Sequence, residues 1–185
     1  MQLLIALIGV LLVAIVLRDA FETIILPRRV SARLRVSKIF YQATWRPWRA
    51  VGRRLRSSDW RETFLSTYGP LSLILLFVLW GGLLITGFAA LLWAAGFDVN
   101  LSGPDHLYVS GTTFTTLGIG DFTPHTDLAR FVTVVEAGTG FGFLAILISY
   151  LPVLYQSFSR REIAISMLDE WAGSPPSAGD LFRLS

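Results

Sequence analysis

The segment of this chain whose residue types and spacing most clearly indicate a chemical role is a run of eight residues between two long apolar stretches. They run Thr115-Thr116-Leu117-Gly118-Ile119-Gly120-Asp121-Phe122. Two glycines separated by one residue allow backbone conformations that are closed to residues with side chains, so successive carbonyl oxygens can turn to the same side. A row of inward carbonyl oxygens replaces the water around a bare cation. Thr116 adds a hydroxyl at the inner end of this row, and Asp121 adds a carboxylate at the outer end.

The stretches on either side of this segment have the composition of membrane spans. The chain has 53% hydrophobic residues and a mean hydropathy of +0.58, which is too apolar for an ordinary soluble domain. No charged residue lies between Thr63 and Phe97, and a helix over 70–95 would be roughly 35–40 Å long. A second span is predicted over 128–157, where Glu136 is the only charge after Phe131.

The N-terminal region predicts a third membrane helix within residues 1–27. Residues 3–17 are uncharged, and a helix that continues to Leu26, where Pro27 would stop it, is long enough to span. A cleaved signal peptide is the alternative, but such peptides carry basic residues before the apolar run, and here the bases follow it. We therefore expect a retained helix.

The distribution of basic residues predicts the orientation. Twelve of the sixteen Lys and Arg residues lie between Arg18 and Arg61, so this connection is expected on the cytoplasmic side. The N-terminus and the glycine segment then lie outside, and the C-terminal tail lies in the cytoplasm. The sequence thus predicts a multi-pass protein of the plasma or inner membrane.

The glycine segment resembles the selectivity filter of the potassium channel pore family, whose pattern is Thr-Val-Gly-Tyr-Gly-Asp. Four of six positions match, and the departures are Leu117 for valine and Ile119 for tyrosine. The resemblance covers about residues 65–158 and implies passive conduction of K⁺ without any enzymatic step or bound cofactor. The backbone oxygens implied to bind K⁺ are those of Thr116, Leu117, Gly118 and Ile119, with Gly120 completing the filter.

The residues before the filter predict a short helix over 104–115. Ser102-Gly103-Pro104-Asp105 offers an N-cap, a proline at the first helical position and an acid in the first turn. The negative end of this helix dipole would point at a cation in the pore. The resemblance makes Tyr108, Thr112, Thr115 and Asp121 supports of the filter. Because Thr112 stands where some members have glutamate, Asp121 is expected to lack its usual carboxylate partner.

The last span has residues that the resemblance assigns to the inner half of a pore. Gly140 matches a hinge, while Gly138 and Gly142 are expected to serve close packing. Pro152 is expected to break the helix near the cytoplasmic end. Glu136 is predicted to point away from the pore and to form a structural bond behind the filter, for instance to a threonine. The residues expected to face the inner cavity are Phe141, Leu144 and Ile148.

The segment 28–63 interleaves bases with aromatic residues, which is typical of a helix in the lipid headgroup plane. Pro47 is expected to divide it into two pieces. Anionic lipid is the predicted partner rather than nucleic acid, because membrane helices flank the segment. The bases expected to face lipid are Arg46, Arg49, Arg53 and Arg54.

The sequence as a whole predicts an all-α membrane protein of four segments, 1–27, 28–63, a pore domain over 64–158, and a cytoplasmic tail over 159–185. The filter is assigned to 116–121. There is a single pore loop and no internal repeat, so a pore requires several copies, and the resemblance implies a homotetramer. A weakly selective or Na⁺-conducting channel is one alternative, and a non-conducting scaffold or signalling subunit is another. The tail has a Gly/Ser/Pro stretch typical of a linker, and no motif indicates the gating stimulus.

Overall fold

A computed structural model describes residues 1–24, 36–53, 58–98 and 101–172, and this part of the chain is all-helical outside its loops. The chain divides into two compact units, and the boundary between them lies between Phe143 and Leu144. The helices are α1 (Gln2–Ile24), α2 (Val36–Gly52), α3 (Ser58–Ala94), α4 (Gly103–Phe114) and α5 (Asp127–Ala172). Pro27, Arg54 and residues 173–185 lie outside the described residues, so the predicted helix stop and linker are not addressed.

Three helices in the described part are long and apolar enough to cross a membrane. They comprise Gln2–Ile24, Thr67–Ala94 and Asp127–Tyr150. The three predicted spans are therefore confirmed, and the chain is a multi-pass, all-helical membrane protein.

Prolines do not mark helix boundaries where the sequence predicted that they would. Pro47 lies inside α2, so the predicted division of that helix is wrong. Pro70 also lies inside a helix, since α3 starts at Ser58 rather than near residue 70. Pro152 lies inside α5, which continues to Ala172 instead of breaking. A proline inside a helix removes one backbone hydrogen bond and distorts the preceding turn. Neighbouring groups in a packed or membrane helix can compensate for the lost hydrogen bond.

Helices α1 and α3 approach closely through glycine. A Cβ atom built on Gly9 would lie 2.9 Å from the Gly87 carbonyl oxygen, and one built on Gly87 would lie 2.8 Å from a methyl group of Val13. Small residues at a membrane helix interface allow such backbone contact, and dispersion forces then hold the pair together. The N-terminal helix is thus packed on the helix that precedes the glycine segment.

A buried carboxylate joins α1, α2 and α3. Asp19 of α1 is 3% exposed and accepts hydrogen bonds from the Ser37 backbone N–H at 2.8 Å and the Ser37 hydroxyl at 2.9 Å. It also accepts one from the indole N–H of Trp80 on α3, at 3.0 Å. The N-terminal end of α2 carries a partial positive charge, which the carboxylate offsets. This junction fixes the start of α2 relative to the membrane helices.

The aromatic side of α2 packs on the first turns of α3. Trp48 stacks on Phe64 with ring centres 4.3 Å apart and donates its indole N–H to the Phe64 carbonyl at 3.2 Å. Trp45 packs edge-on against Tyr68, whose hydroxyl lies 2.8 Å from that of Thr44. These two tryptophans therefore pack against α3, although Trp45 remains 40% exposed.

The end of α3 is tied to the start of α5. Gly96 terminates α3 with φ of +68°, a conformation that favours glycine. The Thr126 hydroxyl donates to the Ala95 carbonyl at 2.7 Å and accepts from the Ala129 N–H at 3.0 Å, so it also caps α5. An apolar cluster fills the space beneath, formed by Leu92, Ala95, Phe97, Val109 and Ala129. These contacts fix both ends of the loop that contains α4 and the glycine segment.

Candidate ion-binding site

The start of α4 has the capping residues that the sequence predicted. Ser102 is the N-cap in an extended conformation, and Pro104 occupies the first turn. The Ser102 backbone N–H and hydroxyl both donate to the Asp105 carboxylate, at 2.9 and 2.6 Å. These hydrogen bonds stabilise the ionised form and lower the pKa of Asp105 below its usual value. The helix start is thereby set to within one residue of its predicted position.

The end of α4 leads directly into the glycine segment through a helix-terminating motif. The Thr116 N–H donates to the Thr113 carbonyl at 3.0 Å, and the Leu117 N–H donates to the Thr112 carbonyl at 2.8 Å. This pair of bonds is the Schellman pattern, in which a left-handed residue, usually glycine, follows the helix. Here the left-handed residue is Thr116, with φ of +60°. A β-branched residue in this conformation costs about 1–2 kcal/mol, which points to a functional reason for the threonine.

Positive φ angles alternate along the segment. Thr116, Gly118 and Gly120 have φ of +60°, +54° and +80°, and the residues between them do not have positive φ. The two glycines therefore adopt the conformations for which the sequence predicted them. Alternation in the sign of φ is the backbone geometry that can turn successive carbonyl oxygens to the same side. In the single chain Leu117 and Ile119 are 66% and 55% exposed, so α4 of the same chain does not cover them.

Tyr108 and Asp121 pair with each other at the outer end of the segment. The Asp121 carboxylate lies beside the tyrosine hydroxyl, and its pull on the phenolic proton raises the pKa of Tyr108 above its usual value. The Tyr108 ring also packs edge-on against Phe122, with ring centres 6.2 Å apart. Asp121 was expected to lack its usual carboxylate partner, because Thr112 stands where some members of the resembled family have glutamate. The phenol of Tyr108, one turn before Thr112 in α4, lies beside Asp121 instead.

The hydroxyls of Thr112 and Thr115 bond to the backbone of α4 itself. Thr112 donates to the Val109 carbonyl at 2.9 Å, and Thr115 donates to the Gly111 carbonyl at 2.7 Å. The contribution of Thr112 to the segment comes from its backbone, because its carbonyl accepts N–H bonds from Leu117 at 2.8 Å and Gly118 at 3.1 Å. This double acceptor anchors the inner end of the glycine segment to the helix.

Gly140 is the point of closest approach between α5 and α4. A Cβ atom built there would overlap the Phe114 carbonyl oxygen and lie 2.7 Å from its carbonyl carbon. Nothing lies within 4 Å of a Cβ atom built on Gly138 or Gly142 in the described part of the chain. Among these three glycines, Gly140 is therefore the one that packs closely within the described part of the chain, and it is the residue for which the resemblance suggested a hinge. The hinge stays a prediction.

Glu136 lies one turn before Gly140 and is completely buried. Its carboxyl group hydrogen-bonds to the hydroxyl of Ser110 on α4, which is also fully buried. The predicted structural bond behind the glycine segment is therefore present, but its partner is a serine rather than a threonine. No periodic or motif signal in the sequence indicates Ser110, because its role depends on which face of α4 meets α5.

The residues assigned to an inner cavity lie uncovered in the single chain. Phe141 and Ile148 are 69% and 70% exposed, and Leu144 is 36% exposed. On α2 the basic residues Arg46, Arg49 and Arg53 are exposed as expected. No group of three or more His, Cys, Asp or Glu side chains that could hold a metal ion occurs among the described residues.

We predict that Gly140→Ala disrupts the docking of α4, because the new methyl group overlaps the Phe114 backbone and overpacking costs about 1–3 kcal/mol. The variant should show a lower unfolding temperature in detergent than the wild type. Gly138→Ala is the matched control, since it adds the same methyl group to the same helix where the chain leaves space. Equal unfolding temperatures for the two variants would contradict the close approach at Gly140.

Comparison with known proteins gives the same interpretation of this region. A protein family described as "Ion channel" matches residues 73–156. The chain is also similar to the uncharacterized membrane protein YdjJ of Bacillus subtilis (strain 168), with 32% identity over 129 residues. That alignment covers 65% of this chain and 38% of the length of the relative. No solved structure matches the chain. Residues 73–156, which contain α4, the glycine segment and the first part of α5, are therefore similar to an ion channel domain.

Proposed function

We propose that four copies of this chain form a channel that conducts K⁺ passively through the backbone oxygens of Thr116, Leu117, Gly118 and Ile119. The observation that carries the proposal is the alternation of positive φ at Thr116, Gly118 and Gly120. The C-terminal end of α4 leads into this segment, so its partial negative charge favours a cation at the inner end. Gly120 and Asp121 complete the outer end of the filter, and no step of chemistry is needed.

Several copies are required because each chain supplies one pore loop. The exposure of Leu117 and Ile119 supports the same conclusion, since more than half of each apolar side chain is uncovered in a single chain. In a fourfold assembly the α4 helix of the neighbouring copy would cover them, while Phe141, Leu144 and Ile148 would line a central cavity. An apolar cavity of this kind can gate by dewetting.

A weakly selective cation channel is the second candidate, and the residue that favours it is Ile119. Tyrosine at this position could hydrogen-bond to aromatic residues behind the filter, whereas isoleucine cannot. In this chain the Tyr108 hydroxyl lies beside Asp121, so its support would act at the outer end of the filter. Among the described residues, no side-chain hydrogen bond reaches Ile119 in the middle.

The proposal predicts that purified protein in planar bilayers passes current that reverses close to the K⁺ equilibrium potential in asymmetric K⁺ and Na⁺. Reversal near zero would favour the weakly selective channel, and reversal near the Na⁺ equilibrium potential would favour a Na⁺ channel. Absence of current would favour a non-conducting scaffold. Gly118→Ala should abolish the current, because alanine is strained at φ of +54°. Gly138→Ala is the matched control and should still conduct.

We also propose that α2 lies against the cytoplasmic leaflet and that its bases bind anionic lipid, with the N-terminus outside and the C-terminus inside. The aromatic side of α2 is occupied by Phe64 and Tyr68 of α3, while Arg46, Arg49 and Arg53 are exposed. The Asp19 junction holds the start of α2 against the membrane helices, so lipid contact at its bases would be transmitted to α3.

We predict that a triple variant with glutamine at Arg46, Arg49 and Arg53 binds anionic lipid less well. Anionic lipid should then stabilise the folded protein less. Each well-placed base contributes about 1 kcal/mol near an anionic surface. The measurement is the rise in unfolding temperature between neutral and anionic nanodiscs. Arg130→Gln is the control, because Arg130 lies beside Asp127 at the start of α5, with 3.3 Å between their nitrogen and oxygen atoms. An unchanged rise in the triple variant would rule out lipid binding by α2.

A further inference from the structure

Ser110 lies at the meeting point of three helices behind the glycine segment. Its hydroxyl oxygen is 2.8 Å from the Ile85 carbonyl oxygen of α3 and within hydrogen-bonding distance of the Glu136 carboxyl group of α5. Ser110 and Glu136 are both completely buried. A serine hydroxyl has only one hydrogen to donate, and both neighbours are oxygen atoms. One more hydrogen is therefore needed for both contacts to be hydrogen bonds.

No basic side chain pairs with Glu136 among the described residues. Its second carboxyl oxygen is buried and has no hydrogen-bond partner among the described residues. The sequence of α3 between Thr67 and Ala94 contains no titratable side chain apart from Tyr68, and Glu136 is the only acidic or basic residue of α5 from Phe131 to Ser159. On α4 the titratable groups are Asp105, His106 and Tyr108, none of which is basic enough to be a permanent cation. Arg18 of α1 is paired with Glu22 at 2.8 Å.

We propose that Glu136 is a neutral carboxylic acid that donates its proton to the Ser110 hydroxyl, which in turn donates to the Ile85 carbonyl, and that this chain of hydrogen bonds positions the selectivity filter. The arrangement gives each contact a donor and an acceptor. It also avoids an unpaired negative charge in the membrane interior, which is energetically costly. The role of these hydrogen bonds in positioning the filter rests on the proposed function.

The path from Glu136 to the filter is short. Ser110 and Phe114 are one helical turn apart on α4, and their partners Glu136 and Gly140 are one turn apart on α5. The two helices are thus joined at two successive turns. The Thr112 carbonyl, which lies between these two attachment points in the sequence, accepts the N–H groups of Leu117 and Gly118. Rotation or displacement of α4 would therefore move the inner end of the filter.

Glu136 is accordingly a positioning residue, because it does not contact the permeant ion. Loss of the hydrogen bond between Glu136 and Ser110 should change the ion selectivity of the channel more than its assembly. Glu136→Gln keeps a donor and an acceptor of nearly the same shape, so it should preserve the K⁺ to Na⁺ permeability ratio. Ser110→Ala removes only the hydroxyl, and Glu136→Leu removes both polar atoms. We expect both variants to lower the permeability ratio by at least threefold.

The experiment uses the full chain in lipid bilayers and has two measurements. Infrared difference spectra of wild type against Glu136→Gln should contain the carbonyl stretch of a buried protonated carboxylic acid, which Glu136→Gln lacks. The appearance of only carboxylate bands in that difference would overturn the assignment of the proton. An unchanged permeability ratio in assembled Ser110→Ala channels would overturn the positioning role.

A thermal double-mutant cycle of Ser110→Ala and Glu136→Leu, each of which removes the hydrogen bond, separates this inference from the proposed function. If the wild type passes no current, the proposed function fails, while the infrared band and a non-additive effect in the cycle would still support the hydrogen bond. If the wild type selects K⁺ but the two changes are additive and no protonated carboxyl group is found, the present inference fails and the channel remains. If Glu136→Leu does not fold, the permeability ratio of Ser110→Ala channels still tests the positioning role.

Discussion

The backbones of Phe114 and Gly140 approach so closely that no side chain fits between them, and the geometry of the pore domain depends on this contact. It sets the height of the last turn of α4 against α5. The Thr112 carbonyl in that turn holds the first two N–H groups of the glycine segment. A filter needs its oxygens placed to within fractions of an ångström, and a rigid backbone contact is better suited to this than flexible side chains.

Thr116 shows how conformation and chemistry compete in this segment. Glycine would occupy the left-handed position after α4 at no steric cost, and the helix end would be more stable with it. Threonine at φ of +60° accepts a conformational cost and places a hydroxyl at the inner end of the proposed ion path. Local backbone strain at a binding site is tolerated when the surrounding contacts determine the structure, and here the Thr112 and Thr113 carbonyls supply those contacts.

The sequence predicted the features that depend on local composition. The three spans follow from hydropathy, and the start of α4 follows from Ser102, Pro104 and Asp105. The positive φ angles of Gly118 and Gly120 follow from the absence of a side chain. Helix ends near Pro47 and Pro152 were predicted wrongly, because the effect of a proline depends on whether neighbouring groups compensate for its missing donor.

Features that depend on tertiary contact could not be obtained in this way. The partner of Asp121 is Tyr108, and that of Glu136 is Ser110, and neither pairing has a spacing rule because each requires two elements to dock at a particular rotation. The same holds for Asp19, whose position near the end of a membrane helix gave no sign that it would cap α2 and bind the Trp80 indole. Polar residues in apolar helices indicated that partners exist, but not which ones they are.

The most direct test of the account is an experimental structure of the purified protein determined in the presence of K⁺. The account predicts a fourfold assembly with ordered ion density on the axis, coordinated by the carbonyl oxygens of residues 116–119. Density that weakens when Na⁺ replaces K⁺ would support selectivity at the same site. A particle without a fourfold axis through Gly118, or an assembly in which these carbonyls point away from the axis, would contradict the central claim.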